Sequence, residues 1–417
     1  METQVNVSVS SIDEAAERLN GVVVRTPLMQ NVALSDMIGA EVYLKREDLQ
    51  VVRSYKIRGA YNLISSLESY QTVNGVVCAS AGNHAQGVAF SCNKLQVKGT
   101  VFMPVTTPKQ KVSKVKMFGK EWVDVVLVGD TFDDSYEAAL KFQEESNSTF
   151  VHPFDAEKVI EGQGTVGKEI YDDLADVDVV LVPVGGGGLA SGVSSYLKAK
   201  NPNVKIIGVE PEGAAAMKVS IANGKRTRLD KIEKFVDGAA VQEVGENTFE
   251  ICKNLLDDVI TVPEGKVCTT ILKLYNEEAI VVEPAGALTV SSLSLLKDQL
   301  KGKKVVCVVS GSNNDIDRMQ EIKERSLMYE GFKHYFIVRF PQRAGALKEF
   351  VNDVLGTNDD ITRFEYVKKS ARESGPALVG IELTNAEDLD GLMERMKEFN
   401  PDCQRINDDP SLFQYFV

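Results

Sequence analysis

Over the first 325 residues, short apolar runs alternate with longer stretches whose apolar positions recur every three or four residues. The apolar runs at 42–44, 76–79, 101–104, 123–128, 179–184, 205–209, 259–262 and 305–309 predict strands. Helical spacing predicts helices after Lys56 through Leu67, over 111–118, from Leu189, over 268–280 and over 318–325. Ser11 and Glu14 have the spacing of a capping box that opens a helix ending at Leu19. Strands and helices in such alternation predict an α/β domain with a mainly parallel sheet. The rhythm changes after Lys333. Strand-like stretches at 334–340, 361–368, 377–383 and 412–417 enclose helical ones at 344–355 and 387–399. That β-α-β-β-α-β order describes a small ferredoxin-like unit. The expected division is therefore 1–325 and 334–417, with 326–333 as a connector.

Composition narrows the class. The 417 residues are 43% hydrophobic and 26% charged, with a net charge of -13. A soluble globular protein is expected, and nucleic acid or an anionic membrane is disfavoured as partner. Residues 179–197 are uncharged, but a proline and four glycines in the middle favour strand, loop and helix over a membrane span. The six cysteines are scattered without C-x-x-C, and no secretory leader precedes them. A reduced, cytoplasmic location is the expectation. Three histidines make a histidine-based metal site improbable, and no metal is expected.

In an open parallel sheet, ligands bind beyond the carboxyl ends of the strands. Three loops there have unusual composition. Gly185, Gly186, Gly187 and Gly188 follow a strand and precede a helix, which suits a phosphate. The loop lacks the Lys-Ser/Thr ending of a nucleotide P-loop. Residues 80–87 read Ser-Ala-Gly-Asn-His-Ala-Gln-Gly. There Asn83 offers a two-sided amide, and His84 is a group that could titrate. Ser310, in 310–314, offers a neutral hydroxyl. Lys56, between Tyr55 and Ile57 with Arg53 and Arg58 close by, is a candidate Schiff-base nucleophile, because desolvation and like charge both favour the neutral amine. Residues 162–167 fit G-x-G-x-x-G, but no convincing strand precedes them, so a dinucleotide site is disfavoured. A nucleophilic lysine, a phosphate cradle and neutral groups for a ring are the inventory of a pyridoxal phosphate (PLP) site.

The motifs at 54–60, 80–87, 185–188 and 310–313 together resemble those of the threonine dehydratases, PLP enzymes with the tryptophan-synthase-β-like fold. The tail, with Pro341-Gln-Arg-Ala-Gly-Ala-Leu347, looks like the single ACT-like domain of the shorter biosynthetic members. The resemblance implies two parallel-sheet subdomains, the smaller at about 51–154, and β-elimination of L-threonine to 2-oxobutanoate and ammonia at the head of isoleucine synthesis, with L-serine as a further substrate. Lys56 would bind PLP and move the Cα proton. Asn83 would contact the ring oxygen, and the four glycines with the Leu189 amide would hold the phosphate. Ser310 would face the ring nitrogen, and Glu283 would lie near the ring. Ser80, Ala81 and Gly82 would hold the substrate carboxylate.

Departures from related enzymes refine this. Ala81 stands where serine racemases carry a serine, which disfavours racemisation. Glu210 has Ala216 six residues on, not the aspartate of a divalent-ion site. Ser312 stands where glycine is usual, and Tyr55 where phenylalanine is. The resemblance further implies a homodimer or homotetramer and an isoleucine or valine effector, and it leaves the effector's action open. A serine-preferring lyase of the same fold and an amino-acid sensor without catalysis stay open as alternatives.

Overall fold

The computed structural model describes residues 7–366, 374–407 and 409. It divides into two compact units, 1–264 with 274–314, and 265–273 with 315–417.

The first unit holds two sheets. The larger contains β1 (Leu28–Gln30), β2 (Glu41–Arg46), β7 (Val179–Pro183), β8 (Lys205–Pro211), β9 (Asp258–Val262) and β10 (Lys304–Val309), in the order β1-β2-β10-β7-β8-β9. Only β1 runs antiparallel. The smaller contains β3 (Val76–Ala79), β4 (Gly99–Met103), β5 (Val123–Leu127) and β6 (Thr149–Phe150), all parallel, in the order β5-β4-β3-β6. Strands β3, β7 and β10 are buried almost throughout, so they read as unbroken apolar runs without alternation. The three glycine- or serine-rich loops leave the carboxyl ends of these three strands.

The second unit carries β11 (Lys333–Pro341), β12 (Asp360–Tyr366), β13 (Ser374–Glu382) and β14 (Gln404–Arg405), antiparallel in the order β12-β13-β11-β14. Helices Ala346–Asp353 and Leu389–Phe399 complete the β-α-β-β-α-β order. Phe340, Phe350 and Phe399 pack ring against ring in its core. The strand expected at 412–417 lies outside the described residues; β14 is a two-residue strand ahead of it.

Two local expectations need correction. The first helix begins one turn earlier, at Val9, because Ser8 and Ser11 form the reciprocal cap and Ser11–Glu14 does not. Residues 326–333 are not a free connector. Helix Met319–Tyr329 covers the first four, and β11 starts at Lys333.

The G-x-G-x-x-G stretch lies wholly inside helix Glu157–Asp173. Its glycines serve contact between backbones. A Cβ on Gly162 would lie 2.6 Å from the Arg58 carbonyl oxygen, and one on Gly164 would lie 3.1 Å from that of Gly192. Helix Glu157–Asp173 can therefore press against both the Lys56 helix (Lys56–Ser65) and helix Gly188–Lys200. Gly162→Ala is expected to destabilise the chain by roughly 1–3 kcal/mol through overpacking against that carbonyl. A urea melt of the variant beside the parent would measure it, and an unchanged midpoint would contradict the packing role.

Candidate active site

Lys56 is the first residue of its helix. Two turns of geometry hold it there. Arg53, at a φ of 62°, sits in the left-handed region, and its carbonyl accepts the Ser312 N–H at 2.9 Å. The Tyr55 N–H donates to the Ser310 carbonyl at 3.2 Å. The last loop of the large sheet is thus stitched to the start of the lysine helix. Ser312 adds to the seam, because its hydroxyl donates to the Asp48 carbonyl at 3.1 Å.

Beneath Lys56, Arg58 is fully buried between two carboxylates. It donates to Glu47 through Nε and Nη2, each at 2.8 Å, and to Glu169 through Nη1 at 2.7 Å and Nη2 at 2.9 Å. Buried Lys45 donates to Glu169 at 2.5 Å and to the Thr26 carbonyl at 2.6 Å. Two cations and two anions therefore balance. Burial alone would lift the Glu47 carboxyl, but the Arg58 charge and hydrogen bonds hold it below the usual range.

The Lys56 amine donates to the Pro153 carbonyl at 2.9 Å. Burial pushes its pKa down to about 8, against an opposing pull from the Glu283 charge. Glu283 is itself pushed up to about 7, by burial first and then by the Asp237 charge. Its Oε1 accepts from Asn83 Nδ2 at 2.7 Å and its Oε2 from the Asn313 N–H at 3.2 Å. Asn83 Oδ1 accepts from Asn313 Nδ2 at 2.7 Å.

Residues 151–155, which no motif singled out, run through the middle of the site. The Val151 N–H donates to the Val77 carbonyl at 2.8 Å, and the Val151 oxygen lies 2.8 Å from His84 Nε2. Burial and the Lys56 charge push His84 down to about 3, so it stays neutral and does not titrate in the working range. His152 Nδ1 accepts the N–H groups of Phe154 and Asp155 at 3.3 and 2.9 Å. Phe154 packs on the glycine loop so closely that a Cβ on Gly186 would lie 2.3 Å from its ring. Asp155 accepts the N–H groups of Glu246 and Thr248, both at 3.0 Å, and so caps helix Glu246–Leu255 from a distance.

Gly187, at a φ of 95°, is the N-cap of helix Gly188–Lys200, and no side chain caps it. The first amides of that helix, Leu189 among them, are turned toward the loop. Helix Asn83–Leu95 likewise starts without a side-chain cap, directly after Ser80, Ala81 and Gly82, and the Gly82 N–H donates to Ser80 Oγ at 3.2 Å. Ser310 is buried at the end of β10. Lys56, Asn83, the glycine loop and Ser310 are thus joined by an unbroken series of contacts. Pro153, Phe154 and Asp155 were not anticipated, and nothing in their local sequence marks them; Asn313 lies in the 310–313 motif, which gave it no role of its own.

Two uncapped helix starts, a glycine loop without room for side chains, and an amine held near neutrality fit a phosphate-bearing aldehyde. Ser54 Oγ, two residues before Lys56, is buried without a hydrogen-bond partner. Glu210 is engaged elsewhere, accepting the Met217 and Lys218 N–H groups at 2.8 Å each. Among the described residues no group of three or more His, Cys, Asp or Glu could hold a metal ion.

Comparison with known proteins agrees with this chemistry. Residues 19–311 match the family described as pyridoxal-phosphate dependent enzyme, and residues 324–416 match the C-terminal regulatory domain of threonine dehydratase. A biosynthetic L-threonine dehydratase of Halalkalibacterium halodurans is 57% identical over 99% of both chains. One from Staphylococcus aureus is 52% identical over the full length of both. Among solved structures, the processed threonine deaminase isoform 2 of Solanum lycopersicum superposes with a TM-score of 0.73 at 39% identity, over 76% of this chain and 87% of that one. A maize serine racemase gives 0.72 at 31% identity, over 78% of this chain and 98% of that one.

The amine attacks an aldehyde only when neutral. Attachment of PLP to the cofactor-free protein should therefore speed up as pH rises toward about 8 and then level off. Glu283→Gln removes a charge that favours the ammonium, so its inflection should lie at lower pH and its rate near neutrality should be higher. Stopped-flow absorbance over a pH series would check both, and an unshifted inflection in the variant would contradict the coupling.

Proposed function

The chain belongs to the PLP-dependent threonine dehydratases, and from that premise we propose how its residues divide the work. The reaction converts L-threonine to 2-oxobutanoate and ammonia, a step of isoleucine biosynthesis. PLP supplies an electron sink for the charge left at Cα.

Lys56 would hold the cofactor through its amine. With substrate in place, the free amine would take the Cα proton. The Cα–H electron pair forms the new double bond to Cβ, the Cβ–O bond breaks, and the lysine ammonium returns a proton so that water leaves. Hydrolysis of the resulting enamine gives the oxo acid and ammonia. The observation that carries this reading is the half-buried Lys56 amine, lowered to about 8 and held against the Pro153 carbonyl. Such an amine can both accept and give back a proton near neutral pH.

The glycines 185–188 and the Leu189 amide hold the phosphate. Asn83 would hold the cofactor's ring oxygen, and Ser310 would offer a neutral hydroxyl to its ring nitrogen. Ser80, Ala81 and Gly82, at the uncapped start of helix Asn83–Leu95, receive the substrate carboxylate. Ala81 carries no proton donor, which leaves Lys56 as the acid–base group at Cα and favours elimination over racemisation.

L-Serine, which lacks only the γ-methyl, is the second substrate. The C-terminal unit binds isoleucine or valine, and the protein works in the cytoplasm as a homodimer or homotetramer. Its match to a regulatory domain supports the effector reading. Among the described residues no helix is long and apolar enough to cross a membrane.

Purified protein should release 2-oxobutanoate from threonine with a kcat/KM exceeding that for serine by roughly tenfold or more, the worth of one methyl group in an apolar pocket. Lys56→Ala should abolish both activities and the borohydride-sensitive absorbance of the bound cofactor. A serine preference would reassign the substrate. Adding isoleucine to the threonine assay should change the rate, and a flat response up to millimolar concentration would count against the effector.

A further inference from the structure

The amide of Asn83 has two faces that differ in chemistry, and its neighbours decide which way they point. Asn83 Oδ1 accepts from Asn313 Nδ2, and Asn83 Nδ2 donates to Glu283 Oε1, both at 2.7 Å. This sense follows from the pattern around Asn313. Asn313 Nδ2 also donates to the Val52 carbonyl at 2.9 Å, so both of its N–H groups are committed. Asn313 Oδ1 accepts from Lys114 Nζ at 3.2 Å. A flipped Asn313 would aim its NH2 at an ammonium and its oxygen at a carbonyl.

We propose that Asn313 and Lys114 are positioning residues that fix the sense of the Asn83 amide, so that its one uncommitted N–H, and not its oxygen, faces the cofactor. This rests on the reading of Asn83 as the contact to the phenolic oxygen of PLP. That oxygen is an acceptor, so an N–H stabilises it and a carbonyl oxygen would repel it. The chain of command runs from a cation through one amide to the next. Lys114 lies on helix Lys109–Gly119, where Lys111, one turn earlier, is ion-paired with Asp237 at 3.0 Å. That pair joins the same helix to Asp237. Both asparagines and Lys114 fall outside the acid–base step and act on how the cofactor is held.

The test uses full-length protein freed of cofactor and titrated with PLP, with the absorbance spectrum of the bound cofactor as second readout. Asn83→Ala is the reference and should raise the PLP dissociation constant roughly tenfold, the worth of a hydrogen bond to a charged group. Asn313→Asp keeps the shape but replaces the donor to Asn83 Oδ1 with an acceptor, so that nothing holds the amide oxygen away from the cofactor. It should weaken binding by a similar factor and move the absorbance maximum. Lys114→Met should weaken binding about threefold, and Lys114→Arg should restore it. Wild-type affinity and spectrum in Asn313→Asp and Lys114→Met, with only Asn83→Ala weakened, would overturn the proposal and leave the Asn83 reading standing. Wild-type affinity in Asn83→Ala would overturn both. Melting temperatures of the cofactor-free variants separate binding from folding. Should Asn313→Asp fail to fold, the Lys114→Met and Lys114→Arg pair decides: loss and rescue support the proposal, and no change overturns it.

Discussion

The Arg58 guanidinium, held dry between Glu47 and Glu169, is the constraint on which the catalytic unit depends. Removing one partner from such a pair typically costs about 3–5 kcal/mol, because it leaves an uncompensated charge in the interior. Glu47 follows β2, Glu169 belongs to helix Glu157–Asp173, and Arg58 stands two residues after Lys56. Lys56 is therefore tied to the large sheet by charges that are almost wholly buried. Gly162 permits the close approach of the two helices that makes the pairing geometrically feasible.

Around that frame the site is tuned by what is withheld. The helices beginning at Lys56, Asn83 and Gly188 lack side-chain caps. Helix starts of this kind leave backbone N–H groups without partners inside the helix. The amine of Lys56 is partly desolvated, while Glu283 restores part of the lost support for its charge. Since Glu283 is poised near 7, that support weakens as pH falls through its titration and the lysine becomes easier to deprotonate just where solution acidity opposes it.

Much of this was legible in the chain. Buried parallel strands read as plain apolar runs, so β3, β7 and β10 were placed to within a residue or so, and with them the loops at Ser80, Gly185 and Ser310. The G-x-G-x-x-G match was rightly discounted, since its glycines turn out to serve helix packing. What could not be read depends on distance. Asn313 matters through Asn83, some 230 positions away, and Asp155 through an amide more than 90 positions on. His84 looks titratable by type, yet burial and a neighbouring cation keep it neutral. The first helix start was misread because Ser8 and Ser11 cap each other, a pairing of two serines that the usual Ser-x-x-Glu pattern does not describe.

Residues 151–155 carry a consequence of a different kind. Val151 meets His84, Pro153 receives the lysine amine, Phe154 lines the glycine loop and Asp155 caps a distant helix. Five consecutive residues thus touch four separate parts of the unit, each at a fixed count along the chain. Some side chains here could change and leave the backbone contacts standing. Adding or deleting a single residue would put all of them out of register together. Over evolutionary time this segment should accept exchanges of letters far more readily than any change in length.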